Sequence, residues 1–446
     1  MKSPVSSVAV RLHGKNDLRV ETIELPPIAE DQILTTVISD SICMSTHKAA
    51  IQGSDHKRVP DDIATNPVMV GHELCGEIVE VGAKWQGQFE PGQRFIIQPA
   101  INYKPLMDGH GAPGYTYPYT GGTATSMILP NEIMDLGCLL PYSGDSYYMG
   151  SLAEPVSTIV GTFHAMYHTE KYVYEHQMDI KEGGAMAMLA AAGPMGMGAI
   201  DYAIHRDRRP RLLVVTDIDA DRLARAERLL TPADAATYGV ELHYVNTANE
   251  ADPAAAIRRF APDGFDDVFV FAPVPAVFEQ GREILGYDGC LNFFAGPSRT
   301  DIFGSLNLYD LHYSSHHVVG TSGGGTEDLR ESIELMAAGR INPSSMITHI
   351  GGIKVVPDTV LNLPNIPGGK KLIYTHLDIP LIALDDLAAR AAGPEGNPLY
   401  GELAAIVERH NGLWNGEAER HLLAHAPTVG AAPETIPATT SAPGDW

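Results

Sequence analysis

The chain has 446 residues, 44% hydrophobic and 19% charged, which is an ordinary globular composition in a length too great for one compact core. Its formal net charge of −24 excludes nucleic acid and anionic membrane surfaces as main partners, and no run of about 20 apolar residues is present to span a bilayer. The cysteines Cys43, Cys75, Cys138 and Cys290 are too scattered for a disulfide framework, and the N-terminus has no apolar signal core. These features predict a cytoplasmic protein whose cysteines are buried thiols or metal ligands.

Along the first 150 residues, SVAVRL, QILTTVIS, GEIVEVG and QRFIIQPA read as short strands punctuated by Gly and Pro, the pattern of a β-rich, partly antiparallel domain. Cys43 lies in the turn SDSICMSTHK after the second of these strands. His72 and Glu73 enter the third. Residues 99–123 read as a long loop or lobe. Glu154 precedes the first long helix, predicted over STIVGTFHAMYHTEKYV. Cysteine, histidine and carboxylate are zinc-ligand types, and a catalytic site leaves one position open. Each also has a structural reading: Cys43 as a buried thiol, His72 as a core histidine, Glu154 as a helix cap.

From residue 157 the pattern changes to alternating strands and helices, which predicts a parallel sheet covered on both faces. The strand AMAML runs into Ala191-Ala192-Gly193-Pro194-Met195-Gly196, a Gly-rich turn that opens the helix PMGMGAIDYAIHR. Gly193 admits a pyrophosphate to the backbone and Gly196 allows close helix–strand packing, while the helix N-terminus supplies N–H donors. Asp217 closes the next strand, RLLVVTD, about 20 residues further on, where a carboxylate accepts the ribose hydroxyls and disfavours a 2′-phosphate. NAD is therefore expected over NADP, with Arg222 and Arg225 nearby pulling the other way. After Gly296 a strand, a Gly-rich turn and an amphipathic helix are expected, then a helical stretch over 385–426 and a Pro-, Ala- and Thr-rich tail without structure.

Gly71–Gly82 (GHELCGEIVEVG), together with Cys43, Glu154 and the Ala-x-Gly-x-x-Gly turn in that order, resembles the zinc-dependent medium-chain dehydrogenase/reductase superfamily over residues 8–376. Within it the chain is similar to the sorbitol dehydrogenase branch, through Glu154-Pro155 and the Asp217…Arg222 spacing. Its SICMSTHK turn and C-terminal extension look most like sorbose 1-phosphate reductases. The resemblance implies an α/β fold with a GroES-like catalytic domain (1–157), a Rossmann-type doubly wound nucleotide domain (158–312), a return to the catalytic domain (313–378), a helical extension (379–426) and a tail (427–446). It implies zinc on Cys43, His72, Glu73 and Glu154, and a proton path through Ser45. Cofactor contacts are implied at Ala192, Gly193, Pro194, Met195, Gly196, Asp217, Arg222, Ala295, Gly296 and Thr321. The substrate it implies is a polyol or ketose, or its phosphate, handled by a homodimer or homotetramer.

Two departures from the family pattern bear on the chemistry. Residues 93–137 contain no cysteine, so the second, structural zinc of many relatives is not expected and one zinc per chain is. Lys48 stands where relatives carry the relay histidine of Cys-x-Ser-x-x-His, with His47 one residue early. For a phosphorylated substrate, Lys48, His56-Lys57-Arg58 and Arg299 are the cationic candidates; a solvated surface turn is the other reading of the His56–Arg58 run. Other functions compatible with the fold are an unphosphorylated polyol or secondary-alcohol dehydrogenase, a zinc-free quinone or enone reductase, and a non-catalytic nucleotide-binding protein.

Overall fold

The computed structural model describes residues 4–393 and 396–430. Two strands form the heart of the first domain: β1 (Ile33–Ser41) and, antiparallel to it, β2 (Leu74–Val81), with β3 (Arg94–Ile97) beyond β2. β1 is buried along almost its whole length and so lies between packed layers rather than under solvent. Helix α1 (Met44–Gln52) leaves β1 through Cys43, its N-cap residue in extended conformation. Helix α2 (Tyr147–His164) then crosses to the second domain.

The second domain is a six-stranded parallel sheet. Its strands are β4 (Ala185–Leu189), β5 (Leu212–Asp217), β6 (Glu241–Asn246), β7 (Phe265–Val270), β8 (Leu285–Phe293) and β9 (His317–Gly320). The spatial order is β6-β5-β4-β7-β8-β9, the doubly wound order of dinucleotide-binding domains. Every residue of β4 and β5 is buried, as expected of strands covered on both faces. Helix α3 (Pro194–His205) follows β4, helix α4 (Ala220–Leu229) follows β5, and helix α5 (Thr326–Ala337) follows β9.

The chain then returns to the first domain. Strand β10 (Ile347–Gly352) and strand β11 (Lys370–Tyr374) are parallel to each other, and β11 is antiparallel to β1, setting Leu372 opposite Ser41 and Tyr374 opposite Ser39. The extension carries α6 (Pro398–Arg409) and α7 (Gly416–His425). Their apolar faces share one core with Leu152 of α2 and with Leu372 and Tyr374 of β11. No helix among the described residues is long and apolar enough to cross a membrane.

Three sequence expectations need correcting. The nucleotide domain does not end at 312, because β9 pairs with β8 and completes the parallel sheet. Helix α2 starts ten residues before Ser157 and stops at His164; Tyr167–Glu170 and Val173–Met178 are instead an antiparallel pair, formed where Tyr167 stacks on His176. Residues 427–430, assigned to the unstructured tail, run beside 376–378, with Asp378 N donating to Pro427 O at 2.7 Å and Val429 N to His376 O at 2.9 Å. The rest of that tail, 431–446, lies outside the described residues.

Candidate active site

The ends of β1, β2 and β11 meet the start of α1 and one face of α2. Here Cys43, His72 and Glu73 gather, each with one ligand atom, all within 4.8 Å of one another. The turn before β2 is what aims His72 and Glu73. Gly71 has φ +91°, and a Cβ there would fall 2.2 Å from Asp40 Oδ2. Asp40 accepts from Thr123 Oγ1 at 2.6 Å and from Glu73 N at 3.2 Å, which ties the turn to β1. Burial pushes the Asp40 carboxyl up to about 7, so it suits an interior tie better than a solvent-facing charge.

Around the group, Ser45 Oγ donates to Cys43 Sγ at 2.9 Å and lies 3.2 Å from His72 Nε2. Tyr115 Oη is 3.4 Å from the same nitrogen, and Thr46 Oγ1 is 3.4 Å from Nδ1. Glu73 takes two hydrogen bonds from Lys370 Nζ, one of them 2.6 Å, and one from Ser41 Oγ. Both Glu73 and Lys370 are almost fully buried. Losing either partner of such a pair leaves an uncompensated interior charge, at a cost of about 3–5 kcal/mol. Glu154 stands outside the 4.8 Å group but faces it. Burial raises its carboxyl to about 8, and the charges of His72, Glu73, Cys43 and Lys370 act on it. Burial also raises the Cys43 thiol, with Glu73 adding to the shift and Lys370 opposing it. A buried thiol and carboxylate beside an imidazole need a cation to be charged together, and thiolate, imidazole and carboxylate are the donor types of a zinc site, so the residues fit that ion.

In the second domain the Gly-rich turn opens α3. Gly193 is the N-cap of α3, and space is open around it for a ligand to approach. A Cβ on Gly196 would sit 1.8 Å from Ala191 O, so that position accepts only glycine. Asp217 ends β5 and is buried. Its Oδ2 accepts from Ala192 N at 3.0 Å and its Oδ1 from Ile218 N at 2.8 Å, which fixes the carboxylate at the mouth of the turn. Arg222 remains close, 3.5 Å from Asp219, whereas Arg225 is spent on the carbonyls of Ser345 and Ile347. Ala295, Gly296 and Thr321 follow the C-terminal ends of β8 and β9, the edge at which open parallel sheets bind ligands.

The relay candidates separate. His47 turns inward, its Nδ1 2.8 Å from Val360 O, and serves packing. Lys48 reaches the other way and donates to Gly296 O, joining α1 to the nucleotide domain; Gln52 Nε2 does likewise to Ser298 O at 3.2 Å. Arg299 is exposed and paired with Asp301, so it is not free for a substrate. Lys370, Asp40 and Tyr115 escaped the sequence reading. For Lys370 the signal was present in KKLIYTH, where two lysines enter an apolar strand and a buried lysine implies an anion.

Similarity to known proteins agrees with this geometry. The family model "Alcohol dehydrogenase GroES-like domain" matches residues 38–136 and "Zinc-binding dehydrogenase" matches residues 194–338. The chain belongs to the zinc-binding dehydrogenases. Among curated members of this family, it is 52% identical to mannitol-1-phosphate 5-dehydrogenase of Aliivibrio fischeri, over 94% of this chain and 97% of that protein. It is 45% identical to L-sorbose 1-phosphate reductase of Klebsiella pneumoniae, over 95% and 99%. The crystal structure of 2R,3R-butanediol dehydrogenase from Bacillus subtilis shares the zinc-binding dehydrogenase fold, with a TM-score of 0.66 at 19% identity over 83% of this chain and 99% of that one.

Proposed function

We propose that the protein is a cytoplasmic, homo-oligomeric dehydrogenase that interconverts a polyol phosphate and its ketose phosphate, with one catalytic zinc per chain and NAD(H) as the preferred cofactor. The observation that carries this reading is the Cys43–His72–Glu73 group, joined to the nucleotide domain through the hydrogen bond from Lys48 to Gly296 O. The phosphorylated substrates named for the two relatives support the substrate class.

Cys43 and His72 would hold the zinc, with Glu154 and Glu73 completing the set. When bound, zinc supplies Lewis-acid polarisation of the substrate carbon–oxygen bond and the nicotinamide gives or takes the hydride. Lys370 and Ser41 hold the Glu73 carboxylate in place beside Cys43 and His72. Ser45 Oγ, beside Cys43 and His72, takes the substrate hydroxyl proton. Lys48 is one helical turn further along α1, and burial lowers its ammonium pKa, which suits Nζ to pass that proton outward. Asp217 would accept the adenosine ribose hydroxyls, and the N-terminus of α3 would face the pyrophosphate.

Exposed Leu308, Tyr309 and Tyr313 lie on the segment leading into β9, the strand at the edge of the parallel sheet. An unpaired strand edge flanked by large apolar side chains favours pairing with a second copy. The test of the function is turnover of sorbose 1-phosphate and free sorbose with NADH and with NADPH, run beside a metal count. Preference for the phosphate with NADH and one zinc per chain is expected. Equal turnover of free sorbose would overturn the substrate class, and two zinc ions per chain would overturn the metal count.

A further inference from the structure

A ladder of rings leads outward from the metal-ligand group. Tyr115 lies 5.0 Å from His72, centroid to centroid, and His56 stacks on Tyr115 at 5.6 Å with planes 9° apart. The guanidinium of Arg58 sits over the Tyr115 ring, 5.8 Å from its centroid. The turn is anchored from behind, because Thr116 Oγ1 donates to Arg58 O at 2.7 Å and Arg58 N donates to His56 Nδ1 at 3.3 Å. Arg58 and His56 are half-buried and Lys57 is exposed.

The charge at this turn is unbalanced. Among the described residues no carboxylate pairs with Lys48, Lys57 or Arg58. Asp55, the acidic residue of the same turn, is taken by Lys15 at 2.5 Å. In a chain with 55 acidic and 31 basic residues, three neighbouring cations without a carboxylate are a local reversal of the overall charge. Burial, then Arg58, Lys57 and Lys48 in that order, push His56 down to about 4, so the imidazole is neutral and adds an uncharged wall. A solvated surface turn would not need the ring stack or the backbone ties. A pocket for a dianion one tyrosine away from the reacting carbon would.

We propose that Arg58, assisted by Lys57 and seated on the Tyr115–His56 ring pair, recognises the phosphate of the substrate and sets the preference for a sugar phosphate over the free sugar. This rests on the polyol-phosphate reading above and names the residues that enforce it. Arg58 is suited to the task because its planar fork meets two phosphate oxygens at once, which a lysine cannot do. His72 and the Arg58 guanidinium lie 5.0 Å and 5.8 Å from the same Tyr115 ring, and in sorbose 1-phosphate the phosphate sits on the carbon next to the carbonyl, so the two groups are near enough to serve one ligand. The carbon at the metal and the phosphate at Arg58 therefore belong to one substrate molecule.

The test compares kcat/KM for sorbose 1-phosphate and for free sorbose in the zinc-loaded enzyme and in Arg58→Gln, Arg58→Lys and Lys57→Ala. Arg58→Gln is expected to lower the phosphate-to-free ratio about a hundredfold, mostly through KM, with zinc content retained. Arg58→Lys restores part of the ratio, and Lys57→Ala lowers it about tenfold. Inorganic phosphate should compete with sorbose 1-phosphate, and its inhibition constant should rise in Arg58→Gln. If the wild-type enzyme shows no preference for the phosphate, the substrate reading fails and this inference falls with it. If the wild-type preference is present but survives both Arg58→Gln and Lys57→Ala, the function stands and Arg58 is not its determinant.

Discussion

Helix α2 is served by two interior carboxylates, and they are built differently. At its N-terminus, Glu419 of α7 accepts from Tyr147 N at 2.7 Å, Tyr148 N at 2.8 Å and Tyr374 Oη at 2.8 Å. Two turns along the helix, the side chain of Glu154 takes no hydrogen bond from the described residues and faces Cys43 and His72 instead. Burial raises both carboxyls, Glu419 to about 7 and Glu154 to about 8. The shift therefore does not distinguish them; the donors do. Glu419 is a cap whose acceptors are used, and Glu154 is an acid with capacity left for a ligand. The C-terminal extension thus closes the same helix whose other face bears a candidate zinc ligand.

Substitutions at the two sites should give opposite signatures. The largest effect is expected from Glu154→Ala, which should weaken zinc binding and lower turnover by at least about a thousandfold, since Lewis-acid stabilisation is worth several kcal/mol. Its thermal unfolding, read without added metal, should change little. Glu419→Ala should do the reverse. It strands two backbone N–H groups and the Tyr374 hydroxyl, and should destabilise the fold by about 3 kcal/mol while zinc content per folded chain is kept. Loss of zinc without loss of stability in Glu419→Ala would dissolve the contrast.

A subtler effect separates charge from shape at the cap. In the folded chain Glu419 is raised to about 7 from its ordinary 4.5, and it is faced by Tyr374, the α2 N-terminus, Arg94 and Cys75. Between those pH values the unfolded chain has released its proton while the folded chain retains it. Stability from this group is complete below about pH 4.5, falls as pH rises toward 7 and levels off above it. Glu419→Gln should flatten that slope in urea unfolding curves measured from pH 5 to 8. An unchanged slope would assign the pH dependence to another group. The smallest effect is expected furthest from the contrast: Asp217→Ser should shift the NAD-to-NADP ratio of kcat/KM by about tenfold toward NADP, because the carboxylate that repels a 2′-phosphate is gone.

The contrast also explains what the sequence made legible. GHELCGEIVEVG and the AAGPMG turn were readable because each packs its chemistry into a few consecutive residues, where glycine spacing and strand pattern carry the geometry. Cys43, His72 and Glu73 do converge, and the Gly193 turn does open α3 in front of Asp217. Lys370 and Glu419 were not readable, because each meets its partner across about 270 to 300 residues of chain. Nothing local marks a glutamate in EAERHLL as a cap for a helix elsewhere. The nucleotide-domain boundary was set too early for a related reason: HHVV is a four-residue strand whose identity comes from pairing with β8. His47 and Lys48 are adjacent in sequence, and only the pitch of α1 decides that one faces Val360 and the other Gly296.

The most direct test of the account is zinc content and turnover measured together in the wild-type enzyme and in Cys43→Ala, with NAD binding as the control for folding. The account predicts one zinc per wild-type chain, and in Cys43→Ala the loss of both metal and turnover with NAD still bound. Turnover retained by a metal-free Cys43→Ala enzyme would contradict it.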